Sequence, residues 1–388
     1  MKICILTPRF PFPQYGGDVL RINEIARYLK SKGHTLVLVS LSDEASPDLE
    51  TAGYLYDRVY FVQRKKLQSY FYSLLFFVRR KPMQCGYYTS IAYEKLLRRV
   101  VADERPDLYI SHLLRMVPYL ERLKLQHHSI VEMTDALSRT YSMSLNAKKG
   151  GLLKFVYYFE QRLIARYEQH VIHAFPKIVL VSESDEAFLR EGDDSITSLC
   201  TYTNGVHCVE KMSEGYDANR ISFVGNMRTL QNQDAVLFFV HDIFPLIKKV
   251  MPAVKFYIVG SLPPPSIQAL ASNDIFVTGF VDDIEAEIQK SALIVAPVRV
   301  AAGIQNKVLQ AMACGVPVVL TDLLCPAIPQ LQDGLNCAVA HAEEDFSKAC
   351  INLLQDMYYR NEMAKRGYEM VKRHYSWNEK LNGYEFLN

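Results

Sequence analysis

The chain predicts an α/β protein of two Rossmann-like halves, and three observations carry that prediction. Apolar strand-like runs alternate with helix-period segments, the alternation restarts midway as a second series, and 388 residues suit two cores of nearly equal size better than one. The first series reads KICILT from Lys2, a helical stretch over about 18–32, HTLVLVS from His34, then DLYIS, SIVEM and KIVLVS. The second opens with RISFVG at Arg220 and continues through VKFYIVG, IFVTG, LIVAP, VPVVLT and NCAVA. Each run is short, almost wholly apolar and bounded by turn residues, as parallel strands covered on both faces are. The junction falls between Thr203 and Tyr216. Two helical segments, roughly 342–356 and 358–374, follow the last strand and lead into a tail that ends NGYEFLN.

Composition narrows the class. Hydrophobic residues make up 49% and charged residues 22%, the balance of a globular protein, and a net charge of +2 gives no reason to expect nucleic acid. Eight cysteines contain no C-x-x-C pair, which suits a reducing cytoplasm. Met1 and Lys2 lead straight into a strand, and no run of 18 apolar residues occurs, so neither a signal peptide nor a spanning helix is expected.

Four stretches hold the candidate chemistry. In APVRVAAGIQNKVLQAMACGVPVVLT, Gly303 and Ile304 sit where backbone N–H groups at a helix start can face an anion, and Lys307, about a turn in, adds a full charge. Gly315-Val316-Pro317 then stops the helix and begins a strand. Without a ligand, the same pattern is an ordinary helix, glycine stop and strand. The turn from Thr7 to Gly17 follows the first strand, and its pair Gly16-Gly17 lets backbone approach a ligand closely. It lacks G-x-G-x-x-G, which weighs against a nicotinamide enzyme. Asp135 and His112 end neighbouring strands, at the carboxyl edge where α/β clefts form. Residues 64–81, RKKLQSYFYSLLFFVRRKP through the following proline, place basic ends around an aromatic and aliphatic middle. That pattern fits a helix lying on a membrane surface, and its Leu67, Phe71, Leu74, Leu75 and Val78 fit one buried core stripe equally well.

These motifs resemble the retaining glycosyltransferases of the GT-B fold, group 4 type. Leu309-Gln310-Ala311-Met312-Ala313 followed by Gly315-Val316-Pro317-Val318-Val319 is similar to the family's Leu-Glu-Ala-Met-Ala and Gly-x-Pro-Val-Val donor segment. The loop Gly303-Ile304-Gln305-Asn306-Lys307 resembles the branch that transfers sugars in exopolysaccharide, lipopolysaccharide and O-antigen synthesis. The resemblance implies two domains facing a central cleft, with 1–205 binding the acceptor, 206–375 the donor, and 376–388 returning to the first domain; Tyr375, Ser376 and Trp377 match the pattern there. It implies donor contacts from Gly225, Arg228, Val281, Gly303, Ile304, Gln305, Asn306, Lys307, Gln310 and Asn204. It places Gly16 and Gly17 by the cleft and gives catalytic roles to Lys307, Asp135 and His112.

Departures from the family pattern are specific. Gln310 replaces the glutamate expected on the ribose, Ala302 replaces the other acid, and Asn226 stands where an arginine is usual, with Arg228 near enough to substitute. Thr203-Asn204-Gly205-Val206-His207 replaces Pro-Asn-Gly-Val-Asp, and Thr278-Gly279-Phe280-Val281 resembles the turn that grips the base. The implied activity moves a sugar from a UDP- or GDP-linked donor to a glycan, most simply a lipid-linked one, at the inner face of the cell membrane. No Asp-x-Asp occurs in the site regions, so no metal or other cofactor is expected, Lys307 taking a cation's place. Two alternatives stay open: a GT-B-fold sugar-nucleotide epimerase, and a non-catalytic nucleotide-sugar-binding protein suggested by Ala302 and Gln310.

Overall fold

The computed structural model describes residues 1–13, 17–147, 152–193, 195–210, 215–299 and 305–387, without the side chains of 143–147 and 152–154. It divides into two compact units, Met1–Asn204 with Leu381–Asn388, and Gly205–Lys380. Residues 376–380 therefore stay with the second unit, and only the last few rejoin the first.

Among the described residues the first unit contains seven parallel strands: β1 (Lys2–Thr7), β2 (Thr35–Ser42), β3 (Arg58–Gln63), β4 (Leu108–His112), β5 (Ser129–Thr134), β6 (Lys177–Leu180) and β7 (Leu199–Thr201). Their spatial order is β3-β2-β1-β4-β5-β6-β7. The central strands are apolar along their whole length because helices cover both faces; Ile3, Cys4, Ile5 and Leu6 are fully buried. Helix Gly17–Ser31 supplies part of that cover through Val19, Ile22, Ile25, Ala26 and Leu29, at helical spacing. Strand order reverses between β1 and β4, and a doubly wound sheet opens its binding crevice at such a reversal, beyond the carboxyl ends of the strands.

Two buried polar clusters tie distant parts of this unit together. Arg21 meets Glu132 through two bonds of 2.9 and 3.2 Å, and its remaining nitrogen donates to Asn204 Oδ1 at 2.9 Å. The Tyr384 hydroxyl donates to the same carboxylate at 2.9 Å, so helix, strand and tail share one charge pair. Lys177 Nζ donates to the carbonyls of Gly383, Tyr384 and Phe386 at 3.0 to 3.2 Å, which pins the tail beside β6.

The second unit contains, among its described residues, β8 (Asp217–Val224), β9 (Lys255–Val259), β10 (Ile275–Gly279), β11 (Ser291–Ala296), β12 (Val318–Thr321) and β13 (Ala338–Ala340), all parallel in the order β10-β9-β8-β11-β12-β13. The reversal here lies between β8 and β11. Gly260, at the end of β9, has φ +146°, and a Cβ on it would stand 1.9 Å from the Gly225 carbonyl oxygen, so only glycine lets these strand ends approach.

Helix Asn306–Ala313 begins with Gln305 as its N-cap residue. The helix start is thus two residues later than the sequence pattern suggested, and Lys307 is its second residue. Gly315, at φ +69°, ends it as expected: its N–H bonds Met312 O at 2.9 Å and the Val316 N–H bonds Ala311 O at 3.0 Å, the two bonds of a Schellman motif.

Candidate active site

The first unit holds a cavity of about 400 Å³ at the β1/β4 reversal, lined among others by Arg9, Asp18, Arg21, Arg115, Asp135 and Asn204. Arg9 is paired with Asp18, and Arg21 with Glu132, so the charges around it are largely compensated. His112 ends β4 and is buried, and neither ring nitrogen has a partner among the described residues. Burial pushes its pKa down to about 3, with Asp18 opposing and Arg21 and Arg9 assisting. The ring is therefore neutral near pH 7 and offers one N–H donor and one acceptor.

Backbone strain marks the same place. Leu113 and Thr134, next to or at the ends of β4 and β5, have φ +69° and +71°, a region that residues with branched side chains rarely adopt. Thr134 Oγ1 is a third buried polar atom without a partner among the described residues. An unsatisfied buried polar group costs about 1–3 kcal/mol, and three of them beside strained backbone mark these strand ends as a candidate site. Asp135 follows at the rim; partial burial, then the nearby Asp185, hold its carboxyl above the usual carboxylate range.

In the second unit the β8/β11 reversal carries an uncompensated cation. Lys307 Nζ bonds Asn232 Oδ1 and lies 4.6 Å from the centroid of the Phe223 ring, both neutral partners. Burial alone pulls its pKa down to about 8. Asn232 is the joint of this site. Its Nδ2 donates to Asn226 O at 2.8 Å, and its amide packs so closely on Gly225 that a Cβ there would come within 2.7 Å. Glycine at 225 thus allows the loop after β8 to meet Lys307 through Asn232.

The other anticipated donor residues divide. Gln305, Asn306 and Gln310 lie on or next to the Lys307 helix, Gln310 half-buried. Arg228 is exposed beside the Gly225 loop, with its N–H on Asn226 Oδ1 at 3.0 Å. Val281 is half-buried against the core. Asn204, expected among the donor contacts, instead lines the first unit's cavity with its side chain committed to Arg21. In that cavity Gly17 stands with Asp135. Gly16, Gly303 and Ile304 lie outside the described residues, as does Ala302. Sequence reasoning missed Arg21, Arg115, Asn232 and the strain at Leu113 and Thr134. A larger cavity of about 620 Å³ in the second unit opens at the other strand ends, among Tyr216, Ser291, Gly315 and Arg360, away from this chemistry.

The helix Lys66–Val78 bears on the core reading of 64–81. Leu67, Phe71 and Val78 are 87%, 64% and 71% exposed, so the stripe faces outward and the core reading is excluded; only Ser69 and Phe76 are buried. Lys65, Lys66, Arg79, Arg80 and Lys81 are exposed around it, whereas Arg64 is held by Asp43 and by the Tyr87 ring at 4.6 Å. No helix among the described residues is long and apolar enough to cross a membrane.

Two Rossmann-like units, each with its polar groups gathered at the order reversal of a parallel sheet, define the GT-B fold. Residues 218–356 match the family described as glycosyl transferases group 1. The chain is similar across its length to three solved structures. TarM from S. aureus is 12% identical with TM-score 0.60, covering 99% of this chain and 98% of that one. HepE of Anabaena, in complex with UDP and glucose, is 11% identical with TM-score 0.58, covering 98% of each chain. WaaG, a glycosyltransferase involved in lipopolysaccharide biosynthesis, is 13% identical with TM-score 0.56, covering 100% of this chain and 99% of that one. At such identities the likeness is one of fold. A Klebsiella pneumoniae protein described as an uncharacterized 44.6 kDa protein in the cps region is 21% identical over 389 residues, 96% of each chain. The second unit thus carries the match to glycosyl transferases group 1, and the chain as a whole has the GT-B fold that its motifs implied.

Proposed function

We propose that the protein transfers a sugar, with retention at the anomeric carbon, from a nucleotide-sugar donor to a lipid-linked glycan in surface-polysaccharide synthesis. The observation that carries this reading is Lys307, a half-buried cation with only neutral partners at the β8/β11 reversal. A diphosphate leaving group develops negative charge as the glycosidic bond breaks, and a fixed cation in a dry site stabilises that charge more in the transition state than in the ground state. Lys307 thereby takes the part a metal ion would play. In the first unit, Asp135 stands at the rim of the cavity as a proton-accepting carboxylate, and neutral His112 is buried directly behind the lining residue Leu113.

HepE is seen with UDP, and this favours a uridine donor here, with GDP as the other nucleotide to test. WaaG acts in lipopolysaccharide synthesis and the Klebsiella relative is encoded in a cps region, which favours a surface glycan as product. The exposed helix Lys66–Val78 favours an acceptor held at a membrane, since its apolar stripe would enter the interface while the flanking lysines and arginines meet anionic headgroups.

Titration with UDP and GDP tests the donor half. Micromolar binding that falls at least tenfold in Lys307→Met is expected, and absence of nucleotide binding by the well-folded chain would overturn the reading. Sedimentation with anionic vesicles tests the membrane half: binding should weaken as salt rises and vanish when Lys65, Lys66, Arg79, Arg80 and Lys81 become Gln.

A further inference from the structure

A second cavity of the first unit, about 420 Å³, is walled by four tyrosines, Tyr87, Tyr88, Tyr141 and Tyr157, together with Gln84 and Arg115. We infer that it is a binding subsite for a sugar residue of the acceptor glycan, one that holds the chain while its terminal hydroxyl occupies the neighbouring cavity. The inference rests on the glycosyl-transfer reading above and adds to it where the acceptor is gripped.

Three observations carry it. Arg115 lines both this cavity and the one beside Asp135, so a ligand in the first is within one side chain of the second. Its Nε donates to Gln84 Oε1 at 2.9 Å, and among the described residues no other nitrogen of the guanidinium is spent, which leaves donors for hydroxyl oxygens. The walls combine flat aromatic area with fixed polar groups. Tyr141 and Tyr157 lie 5.0 Å apart between ring centroids at 35°, the Tyr141 hydroxyl accepts from Gln84 Nε2, and the Tyr88 ring carries Arg115 at 5.2 Å.

A pyranose has one face of C–H groups and a rim of hydroxyls, so it needs both kinds of wall, whereas an acyl chain would leave the remaining guanidinium nitrogens of Arg115 unsatisfied. The cavity is also held in shape. Buried Glu160 accepts the Met83 and Gln84 N–H groups at 2.9 and 3.0 Å, and Ser73 Oγ on the Lys66–Val78 helix donates to Met83 O at 2.8 Å. Through Ser73 this wall is continuous with the helix whose other side is exposed and apolar. A lipid-linked acceptor would then meet, in order, the exposed helix, the tyrosine cavity and the cavity of Arg115 and Asp135.

The test uses the full chain with saturating UDP and ligand-observed NMR on the methyl glycosides of glucose, galactose, mannose and N-acetylglucosamine. At least one glycoside should bind, its affinity should fall tenfold or more in Tyr157→Ala and Gln84→Ala, and Tyr157→Phe should retain it, all with unchanged UDP binding. Val156→Trp, which fills the cavity from its lining without removing a polar contact, should also abolish glycoside binding if Tyr157→Ala does not fold. No glycoside binding to the wild-type chain, or equal binding by wild type, Gln84→Ala and Val156→Trp, would overturn the subsite. A chain that binds glycoside here but no nucleoside diphosphate keeps the subsite and defeats the transfer reading instead.

Discussion

If Lys307 is the cation that receives the donor diphosphate, nucleotide binding must be coupled to its protonation. With no ligand its pKa is about 8, lowered by burial from 10.5. A bound diphosphate supplies the missing opposite charge and returns the pKa to the ordinary lysine range or above. The sign follows: the charged form binds, so affinity is fully present below pH 8 and is lost as pH rises from 8 toward 10.5. Each unit of displaced pKa corresponds to about 1.4 kcal/mol, so the apparent dissociation constant of UDP should rise about twofold by pH 8 and about elevenfold by pH 9 relative to pH 6.5. Binding should take up about 0.1 proton at pH 7, 0.5 at pH 8 and 0.9 at pH 9, while the terminal phosphate titrates lower, near pH 6. Calorimetric titration in two buffers of different ionisation enthalpy reads this uptake directly. Lys307→Met should erase it and cost about 2 kcal/mol of binding, roughly thirtyfold, the worth of one charge-assisted bond. Equal proton uptake in wild type and Lys307→Met at pH 8 would refute the assignment.

The remaining predictions concern one further site residue and two buried groups of the first unit. Gln310→Glu should hold or improve UDP affinity by up to about 1–2 kcal/mol, because a carboxylate accepts more strongly than an amide; the same titration at pH 7 checks it, and a loss of affinity together with a lowered melting temperature would count against a ribose-facing position 310. Glu168 is buried with Oε1 on the Ser138 N–H at 3.2 Å, and burial raises its pKa to about 7, so it favours the folded state below pH 4.5 and loses that contribution as pH rises through 7. Glu168→Gln should therefore stabilise the first unit by about 2–3 kcal/mol at pH 8 and change little at pH 4.5, as read from denaturant midpoints. Lys177→Met leaves three tail carbonyls without their donor and should destabilise the first unit by about 3 kcal/mol, with hydrogen exchange rising first in the 383–387 amides.

Much of the architecture was legible because central parallel strands, covered on both faces, spell themselves as continuous apolar runs. The strands that the sequence pattern passed over are β3 and β7 at the sheet edges; β7 is only 3 residues long, and the apolar run Val59–Val62 of β3 is short, flanked by polar residues and only half-buried. Glycine also spoke clearly. Gly315 ends its helix in the left-handed conformation, and Gly225 admits Asn232, each where a side chain would be strained or in collision. The strain at Leu113 and Thr134 was invisible, since neither residue type signals a positive φ, and it arises from how neighbouring strands end. Asn232 was equally unreadable: 75 positions separate it from Lys307, and an asparagine in a helix declares no partner. Helical pattern alone could not orient Lys66–Val78, because a stripe of leucine and phenylalanine looks the same whether it faces a core or a bilayer.

The two units meet the problem of charge in opposite ways, and this gives the missing acids a physical sense. In the first unit Arg9 is matched with Asp18 and Arg21 with Glu132, the remaining Arg115 and Asp135 are of opposite sign, and the buried imidazole between strand ends is neutral. Such a surface can read hydroxyl groups without attracting a diphosphate. In the second unit Lys307 has no carboxylate against it among the described residues. A glutamate at 310 would sit three residues further along the same helix face, close enough to pair with the ammonium and hold it charged when no ligand is present. Glutamine cannot do that, so the burial that isolates Lys307 also lowers its pKa, and above about pH 8 the cation keeps its charge only where an anion binds. Replacement of the acid at 310 and the depressed pKa of Lys307 are on this view a single feature of the donor site, in which the charge that stabilises departure is supplied in proportion to the diphosphate that calls for it.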